Sequence, residues 1–109
     1  MNTQIRSKEI KVNDATKAKI DAEIEGFEKF SLQITSVEVN VTKVKDTVGV
    51  EYKIIIAKQT PVIINENDTQ LEVAIDKASR RATEILGKLH AKVVDHKKSS
   101  IKDMEVIDS

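Results

Sequence analysis

The sequence predicts an α+β two-layer sandwich of element order β-α-β-β-β-α, a four-stranded mixed sheet with two helices packed on one face. Three observations predict it. Val37, Val39 and Val41 alternate with Glu38, Asn40 and Thr42, and Val48, Val50, Tyr52, Ile54 and Ile56 alternate with Gly49, Glu51, Lys53 and Ile55. A period of two marks strands with one dry and one wet face. Ile20, Ile24 and Phe27, and later Leu71, Ala74, Ala78, Ala82, Ile85, Leu89 and Val93, recur instead at helical spacing. Capping and turn residues stand between these runs.

Taken in order, Thr3 to Arg6 and Glu9 to Val12 look extended, with Ser7-Lys8 as an irregularity between them. Asn13 and Asp14 supply side-chain oxygens for free backbone amides, so a helix is expected over Ala15 to Phe30, with Thr16 and Phe30 extending its apolar face. Lys45-Asp46-Thr47 is the expected hairpin turn, and Lys58 to Pro61 the next break. Val62 to Asn65 reads as a fourth strand. Asp68 or Thr69 opens the second helix, and Thr69 with Glu72 three residues on forms a capping-box pattern. Gly87 weakens that helix by about 1 kcal/mol relative to Ala. The first strand, crossover helix and second strand should form a right-handed parallel unit, with the later strands adding as antiparallel hairpins. Glu38, Asn40, Thr42, Glu51 and Lys53 then face water.

The chain has 109 residues, which suits one domain. Residues 1–98 are read as that domain and 99–109 as a short mobile tail. The absence of cysteine excludes disulfides and thiolate metal sites. No signal-peptide pattern opens the chain, and no apolar run approaches the roughly 20 residues that span a bilayer. A soluble cytoplasmic protein with no membrane partner is expected.

The 18 basic and 18 acidic residues cancel. Phosphate contacts supply most of a nucleic-acid binder's affinity, so neutrality argues against that role unless the charges are segregated. They are, mildly. The segment Thr69–Lys98 holds seven Lys/Arg against four acids, whereas Asn13–Phe30 holds three against five. On a helix, Lys77, Arg81, Lys88 and Lys92 fall within about 60° of one another, with Arg80 to one side. Such a row can follow a phosphate backbone. It can equally be the solvated flank of an amphipathic helix, a reading that Glu84 and Asp95 favour.

Other chemistry finds little support. Phe27, Phe30 and Tyr52 are too few for a base-stacking platform. His90 and His96 are six residues apart and diverge on a helix, so no metal site is expected. Asp76 and Arg80 are spaced for a surface ion pair. No nucleophile–base set, phosphate loop or carboxylate dyad stands out, so neither an enzyme nor a cofactor or small-molecule substrate is expected.

The ordered phrases IRSKEIKVNDATKAKI at 5–20, FEKF at 27–30, VEVNVTKVK at 37–45 and LEVAIDKASRRATEILGKLHAKVVDH at 71–96 resemble the short ribosome hibernation factors, the family of hibernation promoting factor and protein Y. The resemblance spans about residues 3 to 98. It implies a translation inhibitor that occupies the mRNA–tRNA channel of the small ribosomal subunit and stores ribosomes in an inactive state. The partners it implies are that subunit and its rRNA, and the contact residues are Lys77, Arg80, Arg81, Lys88 and Lys92. Several departures remove positive charge or alter the pattern: Glu23 and Gly26 stand where the family commonly has lysines, Glu84 for a frequent arginine, Glu72 for an aromatic, and Thr60-Pro61 near a usual Gly-Gly. Two alternatives stand beside this reading. One is an interaction or stress-associated module of the same fold that has lost ribosome binding. The other is a double-stranded-RNA-binding domain of α-β-β-β-α order, against which Asn67, Asp68, Glu72 and Asp76 count.

Overall fold

A computed structural model describes the backbone of residues 2–102 and the side chains of residues 2–92. The elements are β1 (Asn2–Lys8), α1 (Asp14–Glu25), a 3₁₀ turn (Gly26–Phe30), β2 (Ile34–Val44), β3 (Thr47–Ile56), β4 (Val62–Asp68) and α2 (Leu71–Lys102). The strands form one sheet in the order β1-β2-β3-β4. β1 runs parallel to β2, with Asn2 opposite Ser36 and Lys8 opposite Thr42. The β2–β3 and β3–β4 pairs are antiparallel. This is the expected four-stranded mixed sheet with two helices.

The alternating strands divide the molecule into a dry and a wet side. Val37, Val39, Val41, Val48, Val50, Tyr52, Ile54, Ile56 and Ile64 are buried under the helices. Ile20, Ile24 and Phe27 come down on them from α1 and its 3₁₀ extension, and Ala74, Ile75, Ala78, Ala82 and Leu86 from α2. The alanines bring the α2 backbone close to the sheet. Phe27 and Tyr52 meet with ring centroids 6.3 Å apart and planes at 60°, a tilted aromatic contact. The Tyr52 hydroxyl reaches Ser79 Oγ at 3.0 Å, so its polar tip is satisfied within the core by α2. Burial pushes the Tyr52 phenol up to about 12, against the opposing pull of the Ser79 hydrogen bond.

Local departures from the expected elements have identifiable causes. Extended structure ends at Lys8, and the chain turns at Glu9, whose φ is 66°. Glu9–Val12 is therefore not a strand, although Val12 is buried. The first helix is capped as expected, with Asn13 Oδ1 accepting the Thr16 amide at 2.8 Å, worth about 1 kcal/mol. It does not continue as α-helix to Phe30. It tightens at Gly26 to three residues per turn, which sets Phe27 and Phe30 on one side, and stops at Ser31 with φ 56°. β4 runs three residues beyond Asn65 to Asp68. The Thr69–Glu72 capping box does not form. The helix begins at Leu71, and Asp68 does the local work, its Oδ1 accepting the Gln70 amide at 3.2 Å and the Thr69 hydroxyl at 3.3 Å.

Helix α2 continues past Lys98, where the tail was expected to begin, and residues 103–109 lie outside the described residues. Its 32 residues make a rod of about 48 Å. The radius of gyration is accordingly 16.4 Å, against about 13 Å for a compact chain of this length. Among the described side chains of α2, Leu86 is the last that is fully buried, and Leu89 the last apolar one packed against the core. The first half of the helix is therefore docked on the sheet and the second projects beyond it. Among the described residues, no helix is long and apolar enough to cross a membrane.

Candidate nucleic-acid interface

The five basic residues singled out in the sequence all lie on α2, but the fold does not leave them equivalent. Lys77 and Arg81 sit on the flank that overlooks β4. Lys77 Nζ pairs with Asp68 Oδ2 at 3.1 Å and donates to the Asn67 carbonyl at 3.2 Å. Arg81 Nη1 lies 3.7 Å from Glu66 Oε2. The Lys77 hydrogen bond, helped by the Gln70 amide, holds the Asp68 carboxyl below its usual range. Half of the row is thus engaged by acids of the neighbouring strand.

Lys88 and Lys92 are different. Both are exposed, one helical turn apart on the projecting half of α2, and neither carries an ion pair among the described residues. They keep the angular relation to Lys77 and Arg81 that the 3.6-residue period dictates. The other end of β4, Val62 to Ile64, is apolar and offers them no acid.

Arg80 lies on the opposite flank, at a groove between the two helices. The groove has a volume of about 350 Å³ and is lined by Glu23, Gly26, Lys29, Asp76, Ser79 and Arg80 among others. Its chemistry is mixed. Lys19 Nζ bridges Asp76 Oδ1 at 2.9 Å and Glu23 Oε2 at 3.3 Å, tying α1 to α2. Asp76 and then Glu23 raise the Lys19 amine above its ordinary value. The expected Asp76–Arg80 pair is replaced by this inter-helix bridge, because the packing of α1 delivers a lysine closer than the arginine on the same helix. Glu23 Oε1 is buried with no hydrogen-bond partner, so the inner wall of the groove is negative. Lys29 stands 5.3 Å from the centroid of the Phe30 ring. The groove therefore offers phosphate a cationic rim, Lys29 and Arg80, over an acidic wall.

Sequence reasoning found the row but missed what surrounds it. Glu66, Asp68 and Lys19 form ion pairs only because β4 and α1 pack beside α2. One signal was present: Glu66 and Asp68 alternate with Asn65 and Asn67, so both acids had to share the helix-facing side of β4. Among the described residues no cluster of potential metal ligands is present, and the side chains of Asp95 and His96 lie outside them.

The fold is similar to that of the Thermus thermophilus Protein Y N-terminal domain, with a TM-score of 0.74 over 82% of this chain and 99% of that one at 16% identity. It is also similar to a ribosomal subunit interface protein from Coxiella burnetii, with a TM-score of 0.72 over 84% of this chain and 99% of that one at 10% identity. A comparison with curated protein sequences gives no match. Residues 3–94 match the profile of the family described as Sigma 54 modulation protein / S30EA ribosomal protein, and the chain belongs to that family.

Proposed function

We infer that the protein is a ribosome-associated factor of the hibernation type, acting in the cytoplasm. It inserts its rigid sandwich into the mRNA–tRNA channel of the small subunit and holds ribosomes inactive by occlusion. Contact is made through rRNA phosphates, with Lys88 and Lys92 as the principal residues and Arg80 as an accessory. Lys77 and Arg81 contribute less, because their charge is already engaged by Asp68 and Glu66. The observation that carries this reading is the exposed Lys88–Lys92 pair on a projecting helix, in a chain whose family is named for a ribosomal protein. The two structural relatives, named for a protein Y and for a ribosomal subunit interface, support the same direction.

Co-sedimentation of the purified protein with ribosomes on sucrose gradients, at low and near-physiological salt, tests this function. Movement with the small subunit at both salts is the expected result. K88E/K92E should lower the affinity by about two orders of magnitude and flatten its salt dependence by about two units in log–log slope. Unchanged binding by that variant would remove the row from the interface.

The charge arrangement favours one competing reading, an interaction module of this fold without ribosome binding. Two of the five candidate residues, Lys77 and Arg81, are paired with acids of β4, and Glu23 and Asp76 line the helix groove. Absence from the ribosomal fractions at both salts would overturn the ribosome reading and leave that alternative.

A further inference from the structure

The wet face of the sheet contains a residue that the fold does not need. Gly49 sits within β3, opposite Thr42 on β2 and Asn67 on β4. Its φ is not positive, so no backbone conformation requires glycine. A Cβ placed there would meet only the Thr42 carbonyl oxygen, at an ordinary 3.8 Å, so no close packing requires it either. Glycine inside a strand weakens it, and where neither a bulge nor a bend explains it, it marks a place where another molecule approaches the backbone. The β2–β3 register shifts only between Ile34 and Ser36, at the far end of the pair.

The missing side chain leaves a recess of about 290 Å³, walled by Asn40, Thr42, Glu51, Asn65 and Asn67, with Val50 and Glu66 completing its lining. Asn40 Nδ2 donates to Glu51 Oε1 at 3.2 Å, which fixes both side chains at the rim. The lining is rich in acceptors: carboxamide oxygens, a hydroxyl and the Glu51 carboxylate. It includes no lysine, arginine or aromatic ring. The lining itself gives phosphate no counter-charge, the nearest cations being Arg6 and Lys8 across on β1, opposite Asn40 and Thr42, and a base or sugar finds no stacking surface. A planar cation with several donors finds both charge and hydrogen-bond partners.

We propose that the recess over Gly49 receives an arginine side chain of a basic polypeptide partner. This contact lies on the face of the sheet opposite the helices, so it is separate from the lysine row and does not depend on the ribosome reading. The guanidinium sits against the bare β3 backbone, with Glu51 as its anion and the three asparagines as acceptors.

The test uses the full chain without ribosomes, labelled with ¹⁵N and titrated with an N-acetylarginine amide probe and its lysine counterpart. The expected result is shifts confined to Asn40, Thr42, Gly49, Glu51, Asn65 and Asn67, larger for arginine than for lysine. G49V fills the recess without changing charge, and should weaken the arginine effect about tenfold while leaving the melting temperature equal or higher. E51Q keeps the shape, removes the anion and should also weaken it, which holds the test open should G49V fold poorly. Shifts centred on the helix groove, no shifts at millimolar probe, or undiminished binding by both variants would overturn the proposal.

Discussion

The two halves of α2 carry similar side chains and do different work. In the docked half, Ala74, Ile75, Ala78, Ala82 and Leu86 are buried, and Lys77 and Arg81 beside them face acids of β4. In the projecting half, Lys88 and Lys92 are exposed and Leu89 is only half-buried. Charge pattern is continuous across the boundary, and environment is not. A lysine's availability for a partner is set less by its own helix than by the residues that the neighbouring strand presents to it.

The sharpest way to break the comparison is to cut each half's apolar contact. Leu86→Ala removes a fully buried side chain and should cost about 2–5 kcal/mol in urea unfolding. Leu89→Ala, on the projecting side of the boundary, should cost well under half of that. Equal losses would mean that the two halves are packed alike.

Alkaline stability isolates the hydroxyl that anchors the docked half. The unfolded phenol loses its proton near 10, and buried Tyr52 only at about 12. The folded state therefore holds a proton that the unfolded state releases. Its stabilising contribution is fully present below pH 10 and is lost as pH rises to about 12, by roughly 2–3 kcal/mol. Tyr52→Phe should remove that loss, and should lower neutral stability by about 1 kcal/mol because the Ser79 hydroxyl is left without its partner.

Gly87 lies at the junction of the two halves. A Cβ there would meet Phe30 Cε1 at 3.5 Å, an ordinary contact, so Gly87→Ala should stabilise the helix by about 0.5–1 kcal/mol. A loss instead would show that the junction tolerates no side chain beside Phe30.

The smallest expected effect distinguishes the two kinds of lysine. The Asp68 carboxyl is held low chiefly by Lys77, so its contribution to stability is present above the unfolded carboxylate value and lost as pH falls through the folded one. Lys77→Ala should slightly lower the melting temperature at neutral pH and shrink its fall on acidification. Lys88→Ala should leave both unchanged.

The fold was legible in the sequence because β2 and β3 alternate without interruption from Val37 to Ile56, and period two admits one arrangement of faces. The helix-facing surface of α2 was legible in part. Ala74, Ala78 and Ala82 are buried as expected, but Ile85 and Leu89 are only half-buried, while Ile75 and Leu86 are fully buried. The reason is that α2 packs on the sheet and also against α1 and the 3₁₀ turn, which widens and rotates the covered arc beyond one narrow stripe. The candidate interface was legible as a direction on a helix. Which of its cations remain available was not, because Glu66 and Asp68 come from another element and reach the row only through the β3–β4 register.

One contact in the engaged half of the row has a consequence for solubility. β4 closes one side of the sheet and has no strand beyond it. Such a border, with exposed Ile63 within it, is a template for a further chain to add itself. The Lys77 amine already occupies the Asn67 carbonyl and places a positive charge over that border. An incoming strand would have to displace the amine and desolvate its charge. A side chain engaged within the protein thereby stands in the way of a further strand adding to the β4 edge.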